Sequence, residues 1–201
     1  MRDNYTRVDS EPTYYSGLDD VSGKSPEEKV RWFEGRFSKI VVGPLEEVRK
    51  LGKENQRIWD LNLGVVTIIC SAIEALSTFY ARRVYGDQAK FERFVEEFMD
   101  PTYKQVSPEN GVKYSTILYG KFRCGLAHGM SIEGHEVATR PAKYVYDNRG
   151  YVSIDLWSLF DDLRRAFGAY LARISTDEDV KRDFLARFDE LFERPYRMRK
   201  A

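Results

Sequence analysis

The chain has 201 residues, and its 42% apolar and 14% aromatic content suffices for the core of one domain with tails. Its 32 basic and 32 acidic residues give no formal net charge. This balance argues against a strongly basic protein that binds nucleic acid nonspecifically, although it permits a local basic patch. Both cysteines, Cys70 and Cys124, lie in apolar helical runs. We therefore expect reduced thiols and a cytoplasmic protein, not a disulfide.

The two ends of the chain differ in composition from its centre. Residues 1–24 are polar and lack a helical period, which predicts a mobile arm or a strap laid over the surface. No basic-then-apolar leader opens the chain, so we expect no secretion signal. Residues 25–192 read as a single domain. Residues 193–201 form a basic, aromatic tail, for which solvation is favoured over contact with RNA phosphates.

The first predicted helix has a clear start signal. Ser25 is the cap, Pro26 occupies the first turn, and Glu28 stands three residues after the cap, as in a capping box. Apolar residues then continue to Val41, and the pair Gly43-Pro44 is expected to break this helix and begin the next.

Residues 58–81 predict the central helix, because apolar side chains lie on almost every side of it. The segment is long enough to span a membrane. Polar residues dilute it, however, and residues 61–81 contain one charge, Glu74, so we favour a buried helix of a bundle and no membrane. A carboxylate in such a helix is costly unless it is paired. We predict that Glu74 pairs with Arg123; the alternative is that it faces water.

A short amphipathic helix is predicted over 88–99, and Ser107-Pro108-Glu109 predicts the start of the helix that ends at His128. At 100° per residue, residues 118–129 separate into two faces. One is a bulky core face, formed by Leu118, Phe122 and Leu126. The opposite face is a stripe of small side chains, formed by Gly120, Cys124 and Ala127. Arg123 and His128 flank this stripe, which another helix can approach closely, including one from a second copy.

Arg123 and His128 have side chains suited to phosphodiester chemistry. Arginine is a permanent cation whose planar fork of donors matches a phosphate, and an imidazole can accept or donate a proton near neutral pH. The structural alternative is that Arg123 pairs with a carboxylate and His128 merely ends a helix. The residue types alone favour that alternative, because isolated arginines and histidines are common.

After Gly129 apolar residues alternate with polar or small ones. Residues 143–146 and 151–154 flank a turn ending in Gly150, which predicts a small β-hairpin, and His135 lies near it. Two further helices are predicted to begin at Asp155 and Thr176. His128, His135 and the cysteines match no standard zinc spacing, so the sequence predicts no metal site and no cofactor.

The order of these elements resembles the HEPN superfamily, whose signature is an arginine, four to six residues and a histidine at the end of a helix. The resemblance covers roughly residues 45–175. It rests on Arg123-x4-His128 and on three further segments, Ile73-Glu74-Ala75-Leu76-Ser77, Phe91-Glu92-Arg93-Phe94 and Phe98-Met99. It implies an all-α, HEPN-like helical bundle, with the small β-hairpin placed after the motif helix.

For function, the resemblance implies metal-independent cleavage of RNA by a homodimer, in a defence or toxin–antitoxin setting with an antitoxin-like protein partner. Two copies of the motif would then form one composite site. The implied catalytic residues are Arg123 and His128, the supporting residues are Glu74, Cys124 and Tyr119, and the implied dimer interface is Gly120, Cys124 and Ala127.

One position departs from the family pattern. In many active HEPN proteins the residue after the arginine is polar, often Asn, Asp or His, whereas here it is Cys124. A thiol is a weak hydrogen-bonding group. The alternative is therefore a noncatalytic module that binds RNA, a nucleotide or a protein, or a helical interaction domain that uses the small stripe only to dimerise.

Overall fold

The computed structural model describes residues 21, 23–54, 61–129, 132, 135–138, 145–148 and 151–193, with backbone alone at 53, 54, 145–148 and 193. The chain is mostly helical. Its α-helices are α1 (Pro26–Phe37), α2 (Gly43–Glu54), α3 (Asn62–Tyr80), α4 (Asp87–Phe98), α5 (Tyr114–Ile117), α6 (Leu156–Thr176) and α7 (Glu178–Phe188). Its strands are β1 (His135–Ala138), β2 (Val145–Asn148) and β3 (Tyr151–Asp155). The predictions for residues 1–20, for residue 22 and for the tail from 194 onward lie outside the described residues.

Helix α1 begins as predicted. The Ser25 hydroxyl accepts a hydrogen bond from the Glu28 amide at 3.2 Å, and the Glu28 carboxylate accepts one from the Ser25 amide at 2.8 Å. Val21 is only 3% exposed and belongs to the hydrophobic core. The packed domain therefore includes a residue that the sequence assigned to the N-terminal arm.

The predicted break at Gly43-Pro44 is wrong, because α1 passes into α2 through a π-helical segment, Ser38–Val42. Proline lacks an amide hydrogen, and its ring clashes with the carbonyl four residues earlier in an α-helix. The wider turn relieves that clash, and the Gly43 amide donates instead to the Ser38 carbonyl. In this segment Ile40 is 45% exposed, whereas Val41 packs against the core.

Helix α3 lies at the centre of the bundle, in contact with α4, α6 and α7. Val66, Ile69 and Leu76 are fully buried, as the prediction of a central helix requires. Among the described residues, α3 alone is long and apolar enough to span a membrane, with a mean hydropathy of 1.7, although half of it is buried inside the protein. The exposed side chains of α3 before Thr78 are all small or apolar, namely Leu61 at the cap and then Leu63, Gly64, Ile68, Ser71 and Ala75.

The predicted hairpin is present and belongs to a larger sheet. Strand β2 pairs antiparallel with β3, and β1 pairs parallel with β3, so the strand order is β1-β3-β2. Val152 and Ile154 on β3 are buried in the core. His135 accepts a hydrogen bond from the Val152 amide through Nδ1 at 3.2 Å, so this imidazole links β1 to β3.

Asp162 on α6 is a buried carboxylate, with only 1% of its side chain exposed. Burial raises the pKa of Asp162 to about 7, the nearby charges of Asp100 and Asp161 raise it further, and the ion pair with Arg165 opposes the shift. The folded state therefore binds this proton more tightly than the unfolded chain does.

The contribution of Asp162 to the free energy of unfolding should therefore fall as the pH rises from about 4 to about 7, and should then level off. Asp162→Asn removes the titration. We expect the free energy of unfolding of this variant, relative to wild type, to increase by about 3 kcal/mol between pH 4.5 and pH 7.5. Urea unfolding at both pH values measures this difference. Asp87→Asn, at a side chain that is 67% exposed, is the control. A difference for Asp162→Asn that does not change with pH would contradict the prediction.

Candidate functional site: Arg123 and His128 on a π-helical segment

The motif helix, residues 114–129, starts later than the sequence predicted. Residues 108–110 form a turn, and the backbones of Val106 and Lys113 pair as an isolated antiparallel bridge. Gly111 has a φ of +66°, a left-handed conformation that interrupts a right-handed helix. The buried Ser107 hydroxyl accepts the Asn110 amide at 3.2 Å, so it caps this turn and not the helix. Regular helix begins at Tyr114.

Beyond α5 the motif helix is π-helical over Leu118–Arg123 and again over Gly125–Gly129. The prediction of two faces assumed an α-helix of about 3.6 residues per turn, in which residues five apart point about 140° away from each other. A π-helix has about 4.4 residues per turn and brings the same two residues within about 50°. Arg123 and His128 are therefore neighbours, with Nη1 and Nε2 3.4 Å apart, and do not flank the small stripe from opposite sides.

The burial of this segment agrees with a core face and an open face. Leu118, Phe122 and Leu126 are buried, as predicted. On the small stripe, Gly120 and Ala127 are exposed and Cys124 is half-buried. His128 is exposed as well. The side of the motif helix that carries Arg123 and His128 is therefore accessible from outside the bundle.

Glu74 and Arg123 form the ion pair that the sequence predicted. Arg123 Nη2 donates to Glu74 Oε1 at 2.6 Å and to Oε2 at 2.8 Å, and Nε donates to Oε2 at 3.1 Å. Both side chains are about one-fifth exposed, at 22% and 21%. These hydrogen bonds raise the pKa of Arg123 above its ordinary value. The contact explains how a carboxylate is accommodated in α3, and it fixes the plane of the guanidinium.

With Nε and Nη2 bound to Glu74, Nη1 points toward the rest of the site. It lies 3.7 Å from Cys124 Sγ as well as 3.4 Å from His128 Nε2. A guanidinium has only donors, so the contact with His128 is a hydrogen bond only when Nε2 carries no proton. The observed geometry thus suits a neutral imidazole with its proton on Nδ1 and an acceptor nitrogen beside a fixed cation.

Aromatic rings support Arg123 from the side. Its guanidinium carbon lies 5.6 Å from the centre of the Tyr119 ring, and the Tyr119 ring packs edge-on against Phe91, 5.3 Å between centres. Burial and the neighbouring Cys124 thiol raise the pKa of Tyr119, so its hydroxyl stays protonated at neutral pH. Tyr119 was predicted as a supporting residue. The role of Phe91 behind it was missed, although the position of Phe91 on the apolar side of α4 was the available signal.

The two cysteines are both free thiols. Burial raises the pKa of Cys70 to about 12, so this thiol is not a nucleophile at neutral pH. In the part of the chain that the structure describes, no group of three or more His, Cys, Asp or Glu side chains is placed to hold a metal ion. The described site thus consists of a cation, an imidazole, a carboxylate and a thiol.

No protein-family model matches this chain, and comparisons with curated proteins and with solved structures found no match either.

Proposed function

We propose that this protein is a metal-independent endoribonuclease of the HEPN type, which acts as a homodimer with a composite site built from two copies of Arg123 and His128. The proposal rests on one observation above all: Nη1 of Arg123 lies 3.4 Å from Nε2 of His128, while Glu74 holds the rest of the guanidinium. A fixed cation beside an accessible imidazole can bind an RNA phosphate and move a proton at its 2′-hydroxyl.

The reaction needs one base and one acid. The unprotonated Nε2 of one His128 accepts the proton of the 2′-hydroxyl, and the 2′-oxygen attacks the adjacent phosphorus. The bond from phosphorus to the 5′-oxygen breaks, and the protonated His128 of the second copy donates a proton to that oxygen. The Arg123 side chains stabilise the negative charge on the pentacoordinate phosphate. The products are a 2′,3′-cyclic phosphate and a 5′-hydroxyl.

A second copy supplies the second imidazole, since a two-fold contact presents the same surface twice. We assign that contact to two stretches: the small stripe Gly120, Cys124 and Ala127, and the N-terminal part of the exposed side of α3. The latter carries Leu61, Gly64 and Ile68, with Leu61 54% and Ile68 47% exposed and no charged side chain among them. An uncharged surface beside an incomplete site is suited to a second copy of the same chain.

The alternative function is a noncatalytic HEPN-like module that binds RNA, a nucleotide or a protein. The contacts of Arg123 are the observation in its favour, because Nε and Nη2 are occupied by Glu74 and Nη1 also contacts the Cys124 thiol. Only Nη1 is then directed toward a ligand. A cytoplasmic location remains a prediction from the two cysteines, and an antitoxin-like partner remains one that follows from the resemblance.

Incubation of the purified protein with a labelled single-stranded RNA and a chelator tests the proposed function. We expect chelator-resistant cleavage that leaves 2′,3′-cyclic phosphate ends, and no cleavage of the same sequence made with 2′-deoxyribose, because the 2′-hydroxyl is the nucleophile. Intact RNA at high protein concentration would favour the binding module, and chelator-sensitive cleavage would contradict the metal-independent mechanism.

A further inference from the structure

A cationic pocket of about 370 Å³ lies at the C-terminal end of α3. Its lining is provided by α3, α4, α7 and the segments that follow α3 and α7, namely Thr78, Arg82, Arg83, Lys90, Arg187 and Glu190. Four of these six residues are cations and one is an anion. In a chain with no net charge, this is a concentrated positive site.

Glu190 occupies the point on which two arginines converge. Arg82 Nη2 donates to one of its oxygens at 2.5 Å, and Arg187 Nη1 donates to the other at 3.2 Å. These hydrogen bonds lower the pKa of Glu190. Nε of Arg187 is buried and has no hydrogen-bond acceptor among the described residues. Two guanidinium groups aimed at one carboxylate have the geometry with which arginines also bind a phosphate.

The two remaining cations are tied less closely to the pocket. Arg83 is 61% exposed and pairs with Asp183 through Nη2 at 2.9 Å and Nε at 3.1 Å. Lys90 is 22% exposed and pairs with Asp87 at 3.8 Å, a long distance for an ion pair. Neither acidic partner lines the pocket. An anion bound in the pocket can therefore draw Arg83 and Lys90 toward it by competing with Asp183 and Asp87.

The pocket is continuous with the side of α3 that carries Glu74. Thr78, which lines the pocket, follows Glu74 by four residues, which places both on one side of α3. The four residues from Glu74 to Thr78 rise about 6 Å along the axis, and Arg82 lies in the turn that follows α3. Ala75 is exposed and Thr78 is half-buried. A few nucleotides of single-stranded RNA can cover this distance.

We propose that the pocket of Arg82, Arg83, Lys90 and Arg187 binds a backbone phosphate of the RNA whose scissile phosphate lies at Arg123 and His128, an inference that rests on the proposed function for its substrate. The pocket fixes the strand and carries no base specificity, because its donors are matched to phosphate oxygens. Glu190 holds the empty pocket together and is displaced from the two arginines when the phosphate binds.

Binding of a fluorescently labelled, uncleavable 2′-O-methyl oligonucleotide, measured by anisotropy, tests this assignment. The double substitution Arg83→Gln/Lys90→Gln should raise Kd about tenfold and should lower the salt dependence of log Kd by about 0.7 for each lost phosphate contact. Glu190→Gln should lower Kd about threefold, because it releases two guanidinium groups. Thermal melting of each variant verifies that it is folded.

The matched control is Arg164→Gln/Arg173→Gln, which removes two exposed arginines of α6 that line no part of the pocket. Its Kd should stay within about twofold of wild type. Equal Kd values for the pocket variant and this control would overturn the proposal, as would weaker binding by Glu190→Gln. Tighter binding of a mononucleotide than of the oligonucleotide in a competition experiment would also overturn the proposal, since the pocket would then be a site for free nucleotides.

The binding assay separates this inference from the proposed function, because it requires no cleavage. Wild-type cleavage combined with an unchanged Kd in the pocket variants would overturn the pocket alone. A tenfold weaker Kd in those variants without any wild-type cleavage would support the pocket and would overturn the nuclease.

Discussion

Cleavage of RNA by His128→Ala should fall at least about a thousandfold, because in a two-fold dimer this one substitution removes both the base and the acid. A positioned acid or base contributes about 10² to 10⁴ in rate, so the loss of two such groups is a large effect. His128 is exposed, and its described hydrogen-bond contact is with Arg123, at 3.4 Å. We therefore expect no change in the melting temperature of the variant. Cleavage rates under single-turnover conditions, with chelator present, measure the loss.

Lys121→Ala is the matched control for this experiment. Lys121 is an exposed cation on the motif helix, two residues before Arg123, and it was not implicated in the chemistry. The control should retain cleavage within about threefold of wild type, since a single exposed charge contributes modestly to RNA binding. Cleavage by His128→Ala at the wild-type rate would mean that the activity does not come from this site.

Local sequence signals predicted those parts of the site that depend on the identity of one residue. An isolated carboxylate in an apolar helix needs a partner, and the prediction that Glu74 pairs with Arg123 is confirmed by three hydrogen bonds. The bulky face of the motif helix was identified for a similar reason, because large apolar side chains at Leu118, Phe122 and Leu126 must be buried.

The helical period of the motif was not predictable from the sequence. The difference between α- and π-helical turns depends on how the segment packs against α3 and α4, and no residue type in 118–129 specifies it. The assumption of an α-helical period affected the site, because that period separates Arg123 from His128. The π-helical turns instead place Arg123 Nη1 3.4 Å from His128 Nε2. Another π-helical segment, Ser38–Val42, similarly replaced the break predicted at Pro44.

Long-range pairing accounts for the other differences between prediction and structure. The hairpin of β2 and β3 could be predicted, because two segments of alternating sequence flank a predicted turn that ends in Gly150. The parallel pairing of β1 with β3 could not, since parallel strands are joined by a long connection that leaves no local signal. The burial of Val21 likewise depends on distant residues of the core.

The second large expected effect concerns the proposed dimer and is a loss of RNA cleavage in mixed dimers. If one catalytic unit requires two imidazoles, a dimer with a single His128 has lost its acid or its base. Such a mixed dimer should cleave RNA at least about a hundredfold more slowly than wild type. If instead each chain acts alone, the mixed dimer keeps one complete site and should retain about half of the activity.

The most direct measurement is therefore the single-turnover cleavage rate of mixed dimers that combine one wild-type subunit with one His128→Ala subunit. Two different affinity tags, used in succession, isolate these dimers from both parent dimers, and wild-type dimers carrying both tags are the control. Our account predicts that the mixed dimers are almost inactive while the doubly tagged wild type is fully active. A mixed dimer with about half of the wild-type rate, or a wild-type protein that cleaves RNA as a monomer, would contradict it.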